Sequence, residues 1–299
     1  AIKVVGVTQA LDGNMVAQMQ VLTKKAETWG AQITEGWVPR HLARQALDTM
    51  IWPALHYPLP ACNLTEPQGV LITKQLYRHI LPSLGACRNY PLVYCHAPAS
   101  LNGLALPHPY AEQEIYHICL VLTHGAIDTP TGSLLRASLE QAQLEAGIGI
   151  PFLSTPFAQY GFLLTDCLWA LIWAFISSHH ISLAYVDQVL PMLQRKGDQF
   201  IMERLVHLGT LSRAALISCN RCRLALDAVT LADIVTGDGK RIREDYWGAH
   251  PSPTHRSHWE FPIEQPPPRD IDCWYNSLKL LTSPPFELPP AATLGAWML

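Results

Sequence analysis

Paired carboxylates that bridge two cations, thiols and imidazoles at metal-ligand spacing, and glycine-rich turns that cradle phosphate are the patterns from which chemistry is read. In this sequence of 299 residues none of them is complete. Two-metal nucleotidyl transfer needs acidic residues placed together at strand ends. No Asp-Asp pair occurs, and Tyr185-Val186-Asp187-Gln188 carries Gln188 where a second metal-binding Asp would stand, so the tetrapeptide reads as a loop. Asp238-Gly239 lies within Val235–Ile242, a pattern that predicts a hairpin turn between two short strands rather than the opening strand of a ribonuclease H fold. Cys219-Asn220-Arg221-Cys222 is a single C-x-x-C. Zinc needs four ligands, and neither His207 nor Cys273 lies at a recognised spacing. Structural thiols on a helix are the plainer reading, a zinc-binding module the alternative. His179, His180, His250, His255 and His258 fall in predicted loops or helix ends, and the G-x-G-x-x-G, Walker, G-x-S-x-G and H-E-x-x-H patterns are missing. The expectation is no catalytic residue, no metal, no cofactor and no small-molecule substrate.

The basic residues are more suggestive. The formal net charge is −3, which excludes a protein that coats nucleic acid through bulk charge alone. Residues 1–90 nevertheless hold eight Lys and Arg against five Asp and Glu, a net of +3, and the remainder is net −6. Such a change of sign points to different partners for the two parts. Lys24 and Lys25 are adjacent, while Arg40/Arg44 and Lys74/Arg78 are each spaced i,i+4 and share a helix face. These six are the candidate phosphate contacts, with ordinary solvated helix faces as the competing reading.

The elements that must position them are helices. Met15, Met19, Leu22, Ala26, Trp29 and Ile33 follow steps of four and three and make one apolar stripe, with Asp12-Gly13-Asn14 as the turn and cap before it. Trp29 belongs to that stripe and reads as core. A second helix starts at Pro39, carries Leu42, Ala46, Leu47, Met50 and Ile51, and should end or kink at Pro53. Thr65-x-x-Gln68 matches a capping box before a third, whose core face is Val70, Leu71, Leu76, Ile80 and Leu81. Beyond a loop at Pro91–Pro109, helices are expected at Ala111–His124 with Ile115, Ile118, Cys119 and Leu122 facing inward, and at Ser133–Glu145 ending on Gly147. Others fit 156–178, 198–208, 211–226 and 270–281. Strands are expected at 2–8 and around 234–243, and the proline-rich Ser283–Pro290 reads as a disordered tail.

The fold class is therefore mainly α: a helical, thumb-like segment at 1–90, a helical region with a few short strands at 91–248, and a proline-rich loop, short helix and tail at 249–299. Eight cysteines at irregular spacing fit a reducing compartment better than a disulfide scaffold. No charged stretch followed by an apolar run marks a secretory signal. The longest apolar run, Cys167–Ile176, is ten residues, against the ~20 needed to span a bilayer. An intracellular protein without membrane insertion is the expectation.

Several segments together resemble a family. Val4-Val5-Gly6-Val7 with Asp12-Gly13 is similar to the (Y/L)-L-G-V…D-G segment that follows the palm of non-LTR-type reverse transcriptases, where the chain enters the thumb. Ala43–Leu59, Leu81-Pro82-Ser83-Leu84-Gly85, Asn102-Gly103-Leu104-Ala105-Leu106 and Thr131-Gly132-Ser133-Leu134-Leu135-Arg136 resemble the downstream part of retroelement open reading frames. So do Leu164-Thr165-Asp166-Cys167, Cys219 through Leu224, Leu231 through Gly239, Trp247-Gly248 and Trp274. The likeness covers roughly residues 1–282. It implies the thumb and the following helical region of an RNA-directed DNA polymerase from a transposable element. The metal-binding Asp and the (F/Y)-x-D-D turn are not in this sequence, so the resemblance implies a truncated, catalytically inactive fragment. In that family the thumb packs along template and primer, which implies RNA or RNA–DNA duplex as the partner and the six basic residues as the contacts. A helical protein-interaction module without a nucleic-acid role is the alternative. In the family context Val4, Val5 and Val7 would pair with a palm sheet, and without it their edge would invite association.

Overall fold

Apolar residues that recur every three or four positions dominate the chain, and in a computed structural model it is mainly α-helical, as that periodicity predicts. Residues 2–4, 6–10, 13–183, 189–249, 265–284 and 286–298 are described. Asp12, Asp187, His250, His255, His258 and the rest of the Tyr185–Gln188 motif lie outside them. The chain forms two compact units, Ala1–Thr123 and His124–Leu299.

The first unit opens with β1 (Ile2–Val4) and β2 (Val7–Gln9), an antiparallel pair with Lys3 opposite Thr8. The expected single strand thus turns back on itself at Gly6. Val7 is buried, and the Thr8 amide donates to Oε1 of the buried Gln18, tying the hairpin to α1 (Val16–Glu35). Asn14 accepts from the Val16 amide at 2.8 Å and so opens that helix. Leu22, Ala26 and Ile33 are buried and Trp29 packs beside them, as the stripe predicts.

α2 (Arg40–Ala46) continues through a π turn at Leu47–Ile51 into α3 (Trp52–His56), so Pro53 does not end the helix. Proline lacks the amide that an α-turn would use, and the wider turn immediately before it accommodates the loss. The same turn alters the inward face. Ala43, Leu47, Ile51 and Leu55 are buried, whereas Leu42 and Met50 are exposed. Steps of four overshoot a 3.6-residue turn, and one wide turn brings them back into line. α4 (Glu66–Ser83) begins at Thr65, whose amide donates to Gln68 Oε1 at 2.9 Å, and buries Ile72, Leu76, Tyr77, Ile80 and Leu81.

The loop from residue 91 contains the short α5 (Leu92–His96) and packs back onto the bundle: Tyr77 donates to the Pro107 carbonyl, and Arg44 to that of Leu104. α6 (Pro109–His124) reverses the expected face. Ile115, Cys119 and Leu122 are exposed, whereas Gln113, Glu114, His117 and Val121 are buried. Gln113 is the reason. Its amide accepts from the Leu64 nitrogen and donates to the Leu64 oxygen, pairing a backbone that burial would otherwise orphan. The segment expected at 1–90 therefore folds together with the thirty-odd residues after it.

The second unit starts at α7 (Pro130–Ala146), capped by Thr129 Oγ1 and ended by Gly147 in the left-handed region. The helix expected at 156–178 is two, α8 (Phe157–Tyr160) and α9 (Leu168–Ser178), separated where Thr165 bonds the Glu145 carboxylate instead of a helical neighbour. α10 (Ile201–His207), α11 (Arg213–Ala225), α12 (Leu231–Ile234) and α13 (Pro268–Leu281) follow, with α11 packed on α13. Around 234–243 the expected strands reduce to isolated bridges, Val235 with Ile242 and Arg241 with Glu287.

The expectation of a disordered tail fails. The Leu288 amide donates to the Lys240 carbonyl, Leu294 to Gly239 and Lys196 to Ala296, and Leu288 and Leu294 are buried. Proline bars a helix here, but non-proline residues between the prolines keep amides that can pair with a neighbouring segment.

Candidate nucleic-acid interface

The candidate cations sit on three helices whose directions can be read from two close approaches. A Cβ placed on Gly30 would fall 2.9 Å from that of His79, so α1 and α4 touch at that level. Arg40, just past the end of α1, lays its guanidinium against Gly85, just past the end of α4, where a Cβ would fall 2.0 Å from Nη2. The two helices therefore finish at the same end of the bundle and run parallel, with α2 and α3 descending between them in sequence. With Gly30 level with His79, Lys25 stands level with Lys74, about 7 Å lower at 1.5 Å per residue.

Four of the six candidates reach solvent unencumbered. Lys24, Lys25, Lys74 and Arg78 are exposed, and among the described residues their side chains make no ion pair or hydrogen bond. Lys74 and Arg78 share the face of α4 opposite its buried residues. Lys24 and Lys25 are about 100° apart round α1 and so diverge. Arg44 is occupied, and Arg40 is exposed but rests against Gly85. Arg44 donates to Asp48 Oδ2 at 2.7 Å and to the Leu104 carbonyl at 2.6 Å, clamping the loop onto α2. Arg40 lies over the carbonyl end of α4, where a cation is favoured by the helix dipole.

The remaining chemical candidates resolve into structure. Cys219 and Cys222 are buried on α11, and Cys219 Sγ donates to Ser277 Oγ at 3.1 Å. Burial pushes the Cys219 thiol up to about 12 and holds Cys222 well above the usual range. A thiol kept protonated in this way is a poor nucleophile. No group of three His, Cys, Asp or Glu among the described residues is placed to hold a metal ion. Asp238 is a turn residue: it accepts from the Thr236 hydroxyl and the Lys240 amide, and those bonds hold its carboxyl below the ordinary value.

Sequence reasoning did not single out the two buried arginines of the second unit. Arg223 is 1% exposed and donates to the Leu144 and Glu145 carbonyls at 2.7 and 2.6 Å and to Asn220 Oδ1 at 2.8 Å. Burial lowers its pKa to about 9, with Glu145 and Asp233 pulling it back up, so it stays protonated at neutral pH. Arg195 donates to the carbonyls of Gly295, Thr236 and Gly237. The 220/223 spacing, one helical turn, was the only sequence signal for the Asn220–Arg223 bond.

The chain matches no protein-family model, and neither a curated protein nor a solved structure is significantly similar to it. Among the described residues no helix is long and apolar enough to cross a membrane.

Proposed function

We propose that the chain is a non-catalytic helical portion of a reverse-transcriptase-like retroelement product, and that its first unit holds the backbone of RNA or of an RNA–DNA duplex. The observation that carries this is the set of four exposed cations, Lys24, Lys25, Lys74 and Arg78, on two parallel helices with no acidic partner among the described residues. Phosphates spaced along a strand can be met by such a set without base-specific contacts. The test is binding of a labelled RNA–DNA duplex across a salt series. If all four cations meet phosphates, log affinity falls by roughly 3 for each tenfold rise in salt, at about 0.7–0.9 per phosphate. Replacing the four by Gln should flatten that slope and leave the helical circular dichroism unchanged. An unchanged slope, or no binding by the parent chain at low salt, rejects the proposal.

A helical protein-interaction module is the second reading, and α6 is what favours it. Ile115, Cys119 and Leu122 form an exposed apolar row at i, i+4 and i+7. Salt-insensitive association with a protein partner, lost on replacing Ile115 and Leu122 by Ser, would favour it over the first.

A further inference from the structure

Trp37 is the most exposed large apolar side chain among the described residues, at 91% of its full surface. It lies in the corner between α1 and α2, where the backbone closes the end of α1. The Val38 amide bonds the Ile33 carbonyl and the Trp37 amide bonds that of Thr34, the paired bonds of a Schellman helix end. Trp37 takes the left-handed position of that motif, φ 49°, which glycine ordinarily fills. The sequence thus accepts a disfavoured backbone and an unburied indole at one place. Neither benefits the fold, since the ring packs on almost nothing.

The surroundings are basic. Arg40 and the exposed His41 follow within four residues, and Gly85, against which the Arg40 guanidinium rests, leads into the exposed Arg88. Glu35 is the one carboxylate between residues 28 and 47. An aromatic ring open to solvent, with cations beside it, is how proteins hold single-stranded nucleic acid: bases stack on the ring while the cations meet the phosphates.

We infer that Trp37 is a stacking platform for an unpaired nucleobase, and that the first unit prefers nucleic acid with a single-stranded segment over a blunt duplex. The inference rests on the proposed nucleic-acid role but uses different residues. Lys24, Lys25, Lys74 and Arg78 supply backbone attraction common to both forms, and Trp37 supplies the discrimination. Stacking has no requirement for a particular base, so the preference is for strand state rather than for sequence.

The test uses fluorescence anisotropy on the full chain with two labelled probes, a single-stranded oligothymidine of about 12 nucleotides and a blunt duplex of the same length. Trp37→Gly is the informative variant, because glycine relieves the left-handed backbone and keeps the cap, so unfolding cannot mimic lost stacking. It should weaken single-strand binding about 30-fold, the middle of the range for one base–aromatic stack, while duplex binding stays within about 2-fold. Trp37→Phe should recover most of the loss. Equal weakening for both probes, no weakening, or failure of Phe to rescue would overturn the inference while leaving the backbone-contact proposal standing. Loss on Trp37→Gly with no effect from replacing the four cations would do the reverse. A chain that binds neither probe overturns both, and binding of an apolar protein partner abolished by Trp37→Gly with no nucleic-acid binding would assign the ring to a protein contact instead.

Discussion

Arg78 of the first unit and two buried arginines of the second are used in opposite ways. In the first, Arg78 and the lysines near it stand in solvent with nothing to hold. In the second, Arg223 and Arg195 are at most 4% exposed and give their donors to backbone carbonyls. A guanidinium removed from water must satisfy its N–H groups locally, and the ends of helices and turns supply carbonyls that also lack partners. Each solves the other's problem. Positive charge is thus architectural at Arg223 and Arg195 and available at Lys24, Lys25, Lys74 and Arg78, a difference that residue type alone does not reveal.

Removing Arg223 should break the comparison most visibly. Arg223→Met leaves the Leu144 carbonyl and Asn220 Oδ1 without their donor, the Glu145 carbonyl keeping its bond from Asn220 Nδ2, and an unpaired buried polar group costs about 1–3 kcal/mol. The expected loss is about 3 kcal/mol, read as faster native-state hydrogen exchange across α7 and α11, with the amides of α1 and α4 unaffected. A loss below about 1 kcal/mol would mean that water replaces the guanidinium and that the arginine is not structural.

The other end of α7 supplies a graded control. Thr129 Oγ1 accepts one amide bond, from Gly132. Thr129→Ala should cost about 1 kcal/mol, the usual worth of an N-cap, measured by the same exchange. If it cost as much as Arg223→Met, the contrast between one bond and several would be lost.

The smallest effect on stability belongs to the exposed cations. Gln at Lys24, Lys25, Lys74 and Arg78 together should leave the first unit's stability within about 0.5 kcal/mol, as surface substitutions usually do. A larger change would place at least one of them in the fold, and would sharpen the comparison by shrinking the set free to meet phosphate.

Much of the first unit was legible because its helices obey hydrophobic periodicity. Met15 to Ile33 is buried as spaced, and Thr65-x-x-Gln68 does start α4. Periodicity failed at α6 because the buried row there is Gln113, Glu114 and His117, and a pattern of apolar residues points the wrong way when the core side is polar. Pro53 was expected to end or kink its helix, and the π turn before it leaves no mark in composition. In the tail, prolines concealed Leu288 and Leu294, which pair through single amides to segments far away in sequence. Of the candidate interface, Lys74 and Arg78 share an exposed face of α4 as their spacing predicts, whereas Lys24 and Lys25 diverge. The occupation of Arg44 was illegible, since its partner Leu104 contributes only a carbonyl, a group every residue has. Trp37 was illegible for a related reason: the sequence shows a tryptophan, and its exposure follows from the left-handed turn it occupies.

The hydrogen bond from Arg195 to the Gly295 carbonyl spans 100 residues, and Lys196 and Gln194 pair with the same late segment. During vectorial synthesis the first unit has all its residues once Thr123 has emerged from the ribosome. The second must wait with Arg195 Nε unpaired and the Gly237–Gly239 turn uncovered until the stretch after Phe286 arrives. A nascent chain stalled before that stretch should therefore carry one finished unit and one open one, the state in which chaperones or proteases would meet it.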